Sequence, residues 1–295
     1  MKPKVVLTGS SGLLGHYLSK ELSESSYNLT NLCFSKSSES FVSIDLRNKK
    51  DVFNLLDKIQ PSIIIHAAAL VDVDKCQSDF ISAYDYNVKM TRNLVEWVKE
   101  NDKGVRFVFI STDQVYSGNG PHKENNINPL NFYGMTKLWA EDVVLGCNSP
   151  LICRVNFVGL GNNDSKSFLS WVMRSLNNEK NFFGYSDILF NPLHGCTLAK
   201  IVKMAVKSKL LGVYNIGSMG GISKSQFIIN LAKKLHLDSD HMEIINYKSL
   251  NASVPRPFDM RMDLSNISKS LKGILPDIDE TINIISEECK SYVVK

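Results

Sequence analysis

The sequence predicts an α/β fold of the Rossmann type, a doubly wound parallel sheet with a smaller C-terminal α/β lobe. Three observations carry that prediction. Short apolar runs rich in Val and Ile alternate with helix-spaced stretches through the first half of the chain. A glycine-rich turn containing Gly9, Gly12 and Gly15 joins the first run to the first helix. Past about residue 155 the strands shorten and the loops gain Asn, Ser and Pro.

In order, residues 4–8 read as a strand and 13–22 as a helix. Residues 28–34 and 41–44 are strands, 51–59 a helix and 62–67 an Ile-rich fourth strand. Residues 80–100 form one long helix, 105–110 a fifth strand, 133–145 a helix and 151–155 a sixth strand. Runs apolar on both faces, separated by helices, imply parallel strands covered on both sides. Short strands follow at 182–185, 213–216 and 243–247. The expected division is a dinucleotide-binding domain over 1–155, completed by about 195–217, with 156–295 mainly a substrate lobe.

A chain of 295 residues, 43% hydrophobic, is long enough to bury a large core. The net charge of +4 lacks the clustered cations that a nucleic-acid backbone requires. Lys200, Lys203 and Lys207 share a helical face and read as a solvated surface. The six cysteines show no Cys-x-x-Cys and no Cys/His spacing suited to a metal. They read as small buried residues in a reducing compartment. The apolar run at 63–71 is too short to cross a bilayer, and no signal core follows Met1. The expectation is a soluble cytoplasmic protein with no membrane or nucleic-acid partner and no metal.

Gly9-Ser10-Ser11-Gly12-Leu13-Leu14-Gly15 lies between a strand and a helix. Glycines let the backbone turn tightly and approach a pyrophosphate, and the helix N-terminus offers free N–H groups. Where an NAD site usually carries a carboxylate for the ribose, this chain has Cys33-Phe34-Ser35-Lys36. The Ser35 hydroxyl and Lys36 ammonium suit a 2′-phosphate, so NADPH is expected, with NADH left open. Asp45, before Leu46, is placed to accept a hydrogen bond from the adenine amine. Ala67, Ala68 and Ala69 end the fourth strand and leave room for a flat ring and ribose.

Thr112 ends the fifth strand. Tyr133 and Lys137 stand four apart at the start of the next helix, on one face. Ligands in such sheets collect outside the carboxyl ends of the strands. A ketone accepting hydride develops negative charge on oxygen, and a phenol can protonate it. Free tyrosine has a pKa of about 10, and a nearby ammonium lowers it. Lys137 is expected to supply that ammonium and to hold the cofactor ribose. Thr112 is expected to orient the carbonyl.

These motifs together resemble the extended branch of the short-chain dehydrogenase/reductase superfamily, and within it the dTDP-4-dehydrorhamnose reductases, over nearly the whole chain. The resemblance rests on Ile110 to Tyr116 around Thr112, on Pro121, Glu124 and Pro129 before Tyr133 and Lys137, and on His66 to Ala69 with Val73-Asp74. It rests also on Asn87, on Gly212 to Gly217 and on Arg256-Pro257. It implies a catalytic triad of Thr112, Tyr133 and Lys137, with Asn87 organising the cofactor site. It implies substrate contacts at Val71, Thr112, Asp113, Gln114, Asn156, Phe157, Asp187, Pro192 and Arg256, the last meeting a diphosphate.

Related dehydratases carry Asp-Glu after the threonine, where this chain has Asp113-Gln114. Glutamine has no proton to trade, which favours simple reduction. The family's Asp-Gln-x-Gly-x-Pro-Thr segment becomes Asp187-Ile188-Leu189-Phe190-Asn191-Pro192-Leu193, and Asn156-Phe157 replaces its tryptophan. The resemblance thus implies a ketoreductase for a nucleotide-linked sugar, serving deoxysugar and polysaccharide assembly, with a homodimer left open. An epimerase, and a dinucleotide-binding regulatory subunit like that of methionine adenosyltransferase, remain alternatives.

Overall fold

The computed structural model describes residues 2–24, 27–34, 40–101, 104–161, 167–178, 181–250 and 253–293. The first half alternates strand and helix: β1 (Lys4–Thr8), α1 (Leu13–Ser23), β2 (Asn28–Cys33), β3 (Val42–Ser43), α2 (Lys49–Ile59) and β4 (Ile63–His66). After α3 (Val73–Ser78) comes α4 (Phe80–Tyr84), which runs through a π-helical turn at Asp85–Lys89 into α5 (Met90–Asn101). Then follow β5 (Arg106–Thr112), α6 (Phe132–Leu145) and β6 (Pro150–Val155). The long helix expected at 80–100 is therefore present, with its turns widened around Asn87.

The C-terminal half holds more helix than its Asn- and Ser-rich texture suggests. Its elements are β7 (Phe157–Val158), α7 (Phe168–Asn177), β8 (Phe182–Tyr185), β9 (Leu189–Phe190), β10 (Leu193–His194) and α8 (Gly195–Lys207). They continue with β11 (Gly212–Ile216), β12 (Ile222–Ser223), α9 (Lys224–Leu235), β13 (Met242–Ile245), α10 (Ser265–Ser270) and α11 (Ile278–Cys289). Three two-stranded ribbons, β10-β7, β12-β9 and β13-β8, stand outside the main sheet.

That main sheet has seven parallel strands in the order β11-β6-β5-β4-β1-β2-β3. The direction of winding reverses between β1 and β4, the crevice where such sheets bind dinucleotides. Alternation of side chains along β1 explains the two covering layers. Val5 and Leu7 face α1 and α8, in a core with Leu18, Leu198 and Val202. Val6 faces the opposite layer, with Leu56, Leu94, Trp97 and Val144 of α2, α5 and α6. A third core joins Val172, Phe227, Leu231 and Ile285 of α7, α9 and α11. Lys203, expected on a solvated face, pairs with Glu21 of α1, whereas Lys200 and Lys207 are exposed.

Buried polar groups pin the sheet. His66 bonds Thr8 Oγ1 at 2.6 Å and Thr91 Oγ1 at 3.0 Å, tying β1, β4 and α5 together. Burial drives the His66 pKa down to about 3, so it is neutral at physiological pH. Five of the six cysteines are buried, and Cys196 is half-buried. Among the described residues, no helix is long and apolar enough to cross a membrane, and no three His, Cys, Asp or Glu side chains cluster as metal ligands.

Candidate active site

One cavity of about 950 Å³ runs along the carboxyl ends of β1, β4, β5 and β6. At its cofactor end lie Gly9, Ser11, Gly12, Leu13, Leu14 and Gly15. Gly9 adopts a φ of +69°, and a Cβ there would sit 2.6 Å from the Ala68 nitrogen. A side chain would thus both strain the turn and collide with the β4 end. Helix α1 begins at Gly12 with no side-chain cap and no acidic residue in its first turn. Its first N–H groups are left to an external acceptor, as a pyrophosphate site requires. Ser10 is turned away, donating its hydroxyl to the Leu32 carbonyl at 2.8 Å.

Ala67, Ala68, Ala69 and Leu46 line the same wall. Phe34, Ile44, Tyr86 and Met90 line it too, and sequence reasoning had not singled them out. Phe34 and Ile44 follow β2 and β3, and Tyr86 and Met90 stand on the helix that runs through the π turn, with no local pattern that distinguishes them from core. Asp45 does not reach the cavity. Its carboxylate accepts two charged hydrogen bonds from Arg47, at 2.9 and 2.8 Å, and is held below the usual carboxylate range by them. The Arg47 guanidinium in turn stacks over Tyr86 and Phe34, 4.5 and 5.4 Å from their ring centres. Ser35 and Lys36 lie outside the described residues.

Asn87 does not line the cavity either. It is buried within the π-helical turn, where it accepts from the Leu70 N–H at 2.8 Å and donates to Thr136 Oγ1 at 3.0 Å. It thereby fixes the loop after β4 against α6. Such turns recur at functional positions because they re-aim one side chain within a helix.

The opposite end of the cavity carries Val71, Thr112, Asp113, Gln114, Tyr133, Lys137, Asn156 and Phe157, with Ser167 and Phe168 of the α7 start. Thr112 closes β5, where its hydroxyl donates to Asp113 Oδ1 at 3.2 Å and accepts from the Gln114 N–H at 3.2 Å. Asn131 caps α6 by accepting from the Gly134 N–H at 2.9 Å, which sets Tyr133 and Lys137 in the first turns. A Cβ on Gly134 would lie 2.3 Å from the Gln114 carbonyl. The missing side chain lets α6 close onto the 113–115 turn and brings Tyr133 beside Thr112.

The Lys137 ammonium rests on the strand and not on the Tyr133 phenol. It donates to the Ile110 carbonyl at 2.7 Å and sits 3.9 Å from the Phe109 ring centre. Burial lowers the Lys137 pKa to about 7, and Glu141 one turn on opposes that shift. Burial raises Tyr133 well above the ordinary phenol, Thr112 pulls it down, and Asp113 and Cys76 add to the rise. Asp113 is raised to about 6 by burial, although Asn156 and Thr112 both donate to it.

Three expected substrate residues stay outside the cavity wall. Asp187 accepts the Tyr247 and Lys248 N–H groups at 2.7 and 3.0 Å, so it shapes the turn after β13. Pro192 is buried between β9 and β10. Arg256 donates to Asp74 at 2.7 Å. Arg154 is buried and grips Glu141 through Nε and Nη2, at 3.0 and 2.6 Å.

A family model described as the RmlD substrate binding domain matches residues 2–290. A dTDP-4-dehydrorhamnose reductase of Aggregatibacter actinomycetemcomitans is 27% identical over 292 residues, covering 92% of this chain and 94% of that protein. The methionine adenosyltransferase 2 subunit beta of Xenopus laevis is 27% identical over 278 residues, covering 90% and 82%. The solved dTDP-4-dehydrorhamnose reductase of Bacillus anthracis, in complex with NADP, superposes with a TM-score of 0.85 at 25% identity, covering 98% and 100%. With its sheet order, its glycine turn and a match across almost its full length, the chain belongs to the RmlD substrate binding domain family, among the extended short-chain dehydrogenases/reductases.

Proposed function

We propose that this protein is an NADPH-dependent reductase of the keto group of a nucleotide-linked deoxysugar, with NADH as the alternative donor. The observation that carries the proposal is the meeting of Thr112, Tyr133 and Lys137 on one wall of the cavity that begins at the glycine turn. Residues 1–155 with 195–217 then hold the cofactor, and 156–295 mainly hold the sugar. The uncapped α1 start and the open Gly9 turn suit the pyrophosphate, and the alanines at the β4 end leave room for the nicotinamide ribose. The bound dinucleotide supplies the hydride.

Reduction needs a protonated acid beside the ketone, and the raised pKa keeps Tyr133 protonated at neutral pH. Its phenol donates to the substrate oxygen as charge develops there. Thr112 turns its hydroxyl from Asp113 to the same oxygen and fixes the carbonyl plane. Lys137 leaves the Ile110 carbonyl to hold the ribose, and its charge then lies close enough to ease the phenol's proton loss. Gln114 stands where a dehydratase needs an exchangeable proton, so the sugar is reduced and water is not removed.

NADPH oxidation, followed by absorbance against dTDP-, UDP-, GDP- and CDP-linked 4-keto sugars, tests this. Turnover with one sugar is the expected result, and Tyr133→Phe should lower kcat by about 10²- to 10⁴-fold while leaving NADPH affinity unchanged. The likeness to the methionine adenosyltransferase subunit favours a second reading, a dinucleotide-binding regulatory subunit. NADPH binding without turnover of any sugar, together with a stoichiometric enzyme partner, would replace the first reading with the second.

A further inference from the structure

A hydroxyl group carries one proton and two acceptor positions. At Thr112 the proton is already spent. Oγ1 donates to Asp113 Oδ1 at 3.2 Å and accepts the Gln114 N–H at 3.2 Å, so one acceptor position remains. Asp113 is buried, and its Oδ2 takes an N–H of the Asn156 amide. Thr112, Asp113 and Asn156 all line the cavity. In this arrangement Thr112 can accept from the hydroxyl of an alcohol. A ketone oxygen only accepts, so Thr112 can serve it only by withdrawing its proton from Asp113.

A buried carboxylate that loses a donor is left with an unmet acceptor, which is costly. A neutral carboxyl removes that cost, because it carries a proton on Oδ1 and donates it to Thr112 Oγ1. Thr112 then accepts from Asp113 and from Gln114, and its own proton is free for the ketone. Each state gives Thr112 one outgoing and two incoming hydrogen bonds, the alcohol supplying the second incoming one when Asp113 is ionised. The surroundings bring the exchange within reach of physiological pH. Burial raises the Asp113 carboxyl to about 6, against Asn156, Thr112 and Lys224 of α9, which favour the charged form. Tyr133 and Lys137 of α6 share its cavity, and the Asp113 charge raises Tyr133 in turn.

We infer that Asp113 is a positioning residue that sets the direction of the Thr112 hydroxyl, as a carboxylate in the alcohol complex and as a neutral carboxyl in the ketone complex. The inference rests on the ketone substrate proposed above. Binding of the ketone then draws one proton from solvent onto Asp113 Oδ1, and no bond to carbon changes in that step. Binding of the alcohol draws none through this group.

The test is calorimetry in two buffers of different ionisation enthalpy, at about pH 5 and pH 8, on either side of the Asp113 value of about 6. The ketones are dTDP-, UDP-, GDP- and CDP-linked 4-keto-6-deoxyhexoses, titrated into the protein saturated with NADP⁺. The matching 4-hydroxy sugars are titrated into the protein saturated with NADPH. At pH 8 the ketone should take up about one proton more than the alcohol. The ratio of alcohol to ketone affinity should rise about five-fold or more from pH 5 to pH 8. Taking the ratio cancels Lys137, which lies on the same cavity wall and titrates near 7. Asp113→Asn offers an amide N–H in place of the acid proton. It should bind the ketone at pH 8 at least as tightly as wild type, with about one proton less taken up and a ratio that no longer changes with pH. The wild-type proton count stands whether or not that variant folds. Equal uptake by ketone and alcohol in the wild type overturns the inference, and so does an Asp113→Asn variant that keeps the wild-type pH dependence. NADPH turnover of a keto sugar with no difference in uptake refutes the Asp113 role and leaves the reductase reading standing. The expected difference in uptake, in a protein that turns over no keto sugar, sinks the reaction and keeps the role. Binding of no ketone at either pH overturns both.

Discussion

Lys137 shows how a single buried group bears on stability and, in the proposed reductase, on the chemistry. It is 3% exposed, and burial takes its pKa from 10.5 to about 7. Between about pH 7 and pH 10.5 the unfolded chain therefore binds a proton that the folded protein does not. Stability from this group rises with pH across that window and is lowest below it. Lys137→Met should then stabilise the unliganded protein at pH 7 by on the order of 1–4 kcal/mol, and less at pH 10, while abolishing turnover. Urea unfolding at the two pH values measures it. An equal effect at both would mean that the ammonium is not the source. The Tyr133-x-x-x-Lys137 spacing was legible from sequence, because four residues on a helix share a face. The resting place of the Lys137 ammonium on Ile110 was not, because it depends on a carbonyl from a strand 27 residues earlier.

At the scale of elements, the seat of α6 on β5 and β6 is a buried charge network. Glu141, one turn beyond Lys137, accepts Arg154 from β6 and the Ser111 hydroxyl from β5. Arg154 also donates to Tyr116 at 2.8 Å, and Tyr116 donates to Asn215 of β11 at 2.7 Å. Removing one partner of such a pair strands a buried charge. Glu141→Gln should cost about 3–5 kcal/mol, and adding Arg154→Met should recover most of it. Denaturant midpoints of the single and double variants decide the matter, and a double variant no better than the single would refute the pairing account. Strand and helix types in this half were legible because period-2 and period-3.6 patterns are local. The widened turn at Asp85–Lys89 was not, since no local pattern separates a π turn from an α one.

Across the whole molecule, residues far apart in sequence close the structure. Tyr17 of α1 donates to Glu288 of α11 at 2.6 Å, and Glu288 also accepts the Leu160 N–H at 3.0 Å. The last helix is thereby fastened to the helix that follows the glycine turn. Tyr17→Phe should cost about 1–2 kcal/mol without changing turnover, measured by thermal unfolding beside an activity assay. A large loss of NADPH affinity instead would mean that the clasp shapes the cofactor loop.

By itself the sequence determined the class of sheet, the glycine turn and the Thr112, Tyr133 and Lys137 set. Each is written in short-range spacing, and a strand-end residue in a parallel sheet has one end of the molecule to occupy. Only the tertiary structure decided that Asp45 serves Arg47, that Asp187 and Pro192 shape turns, and that Phe34, Tyr86 and Phe168 wall the cavity. The Asp45–Arg47 contact spans two residues, but the others depend on packing between distant segments, 60 residues apart for Asp187 and Tyr247 and 182 for Asp74 and Arg256. A side chain's partner across such a distance is chosen by the folded surface it meets and leaves no mark in its own neighbourhood of the chain.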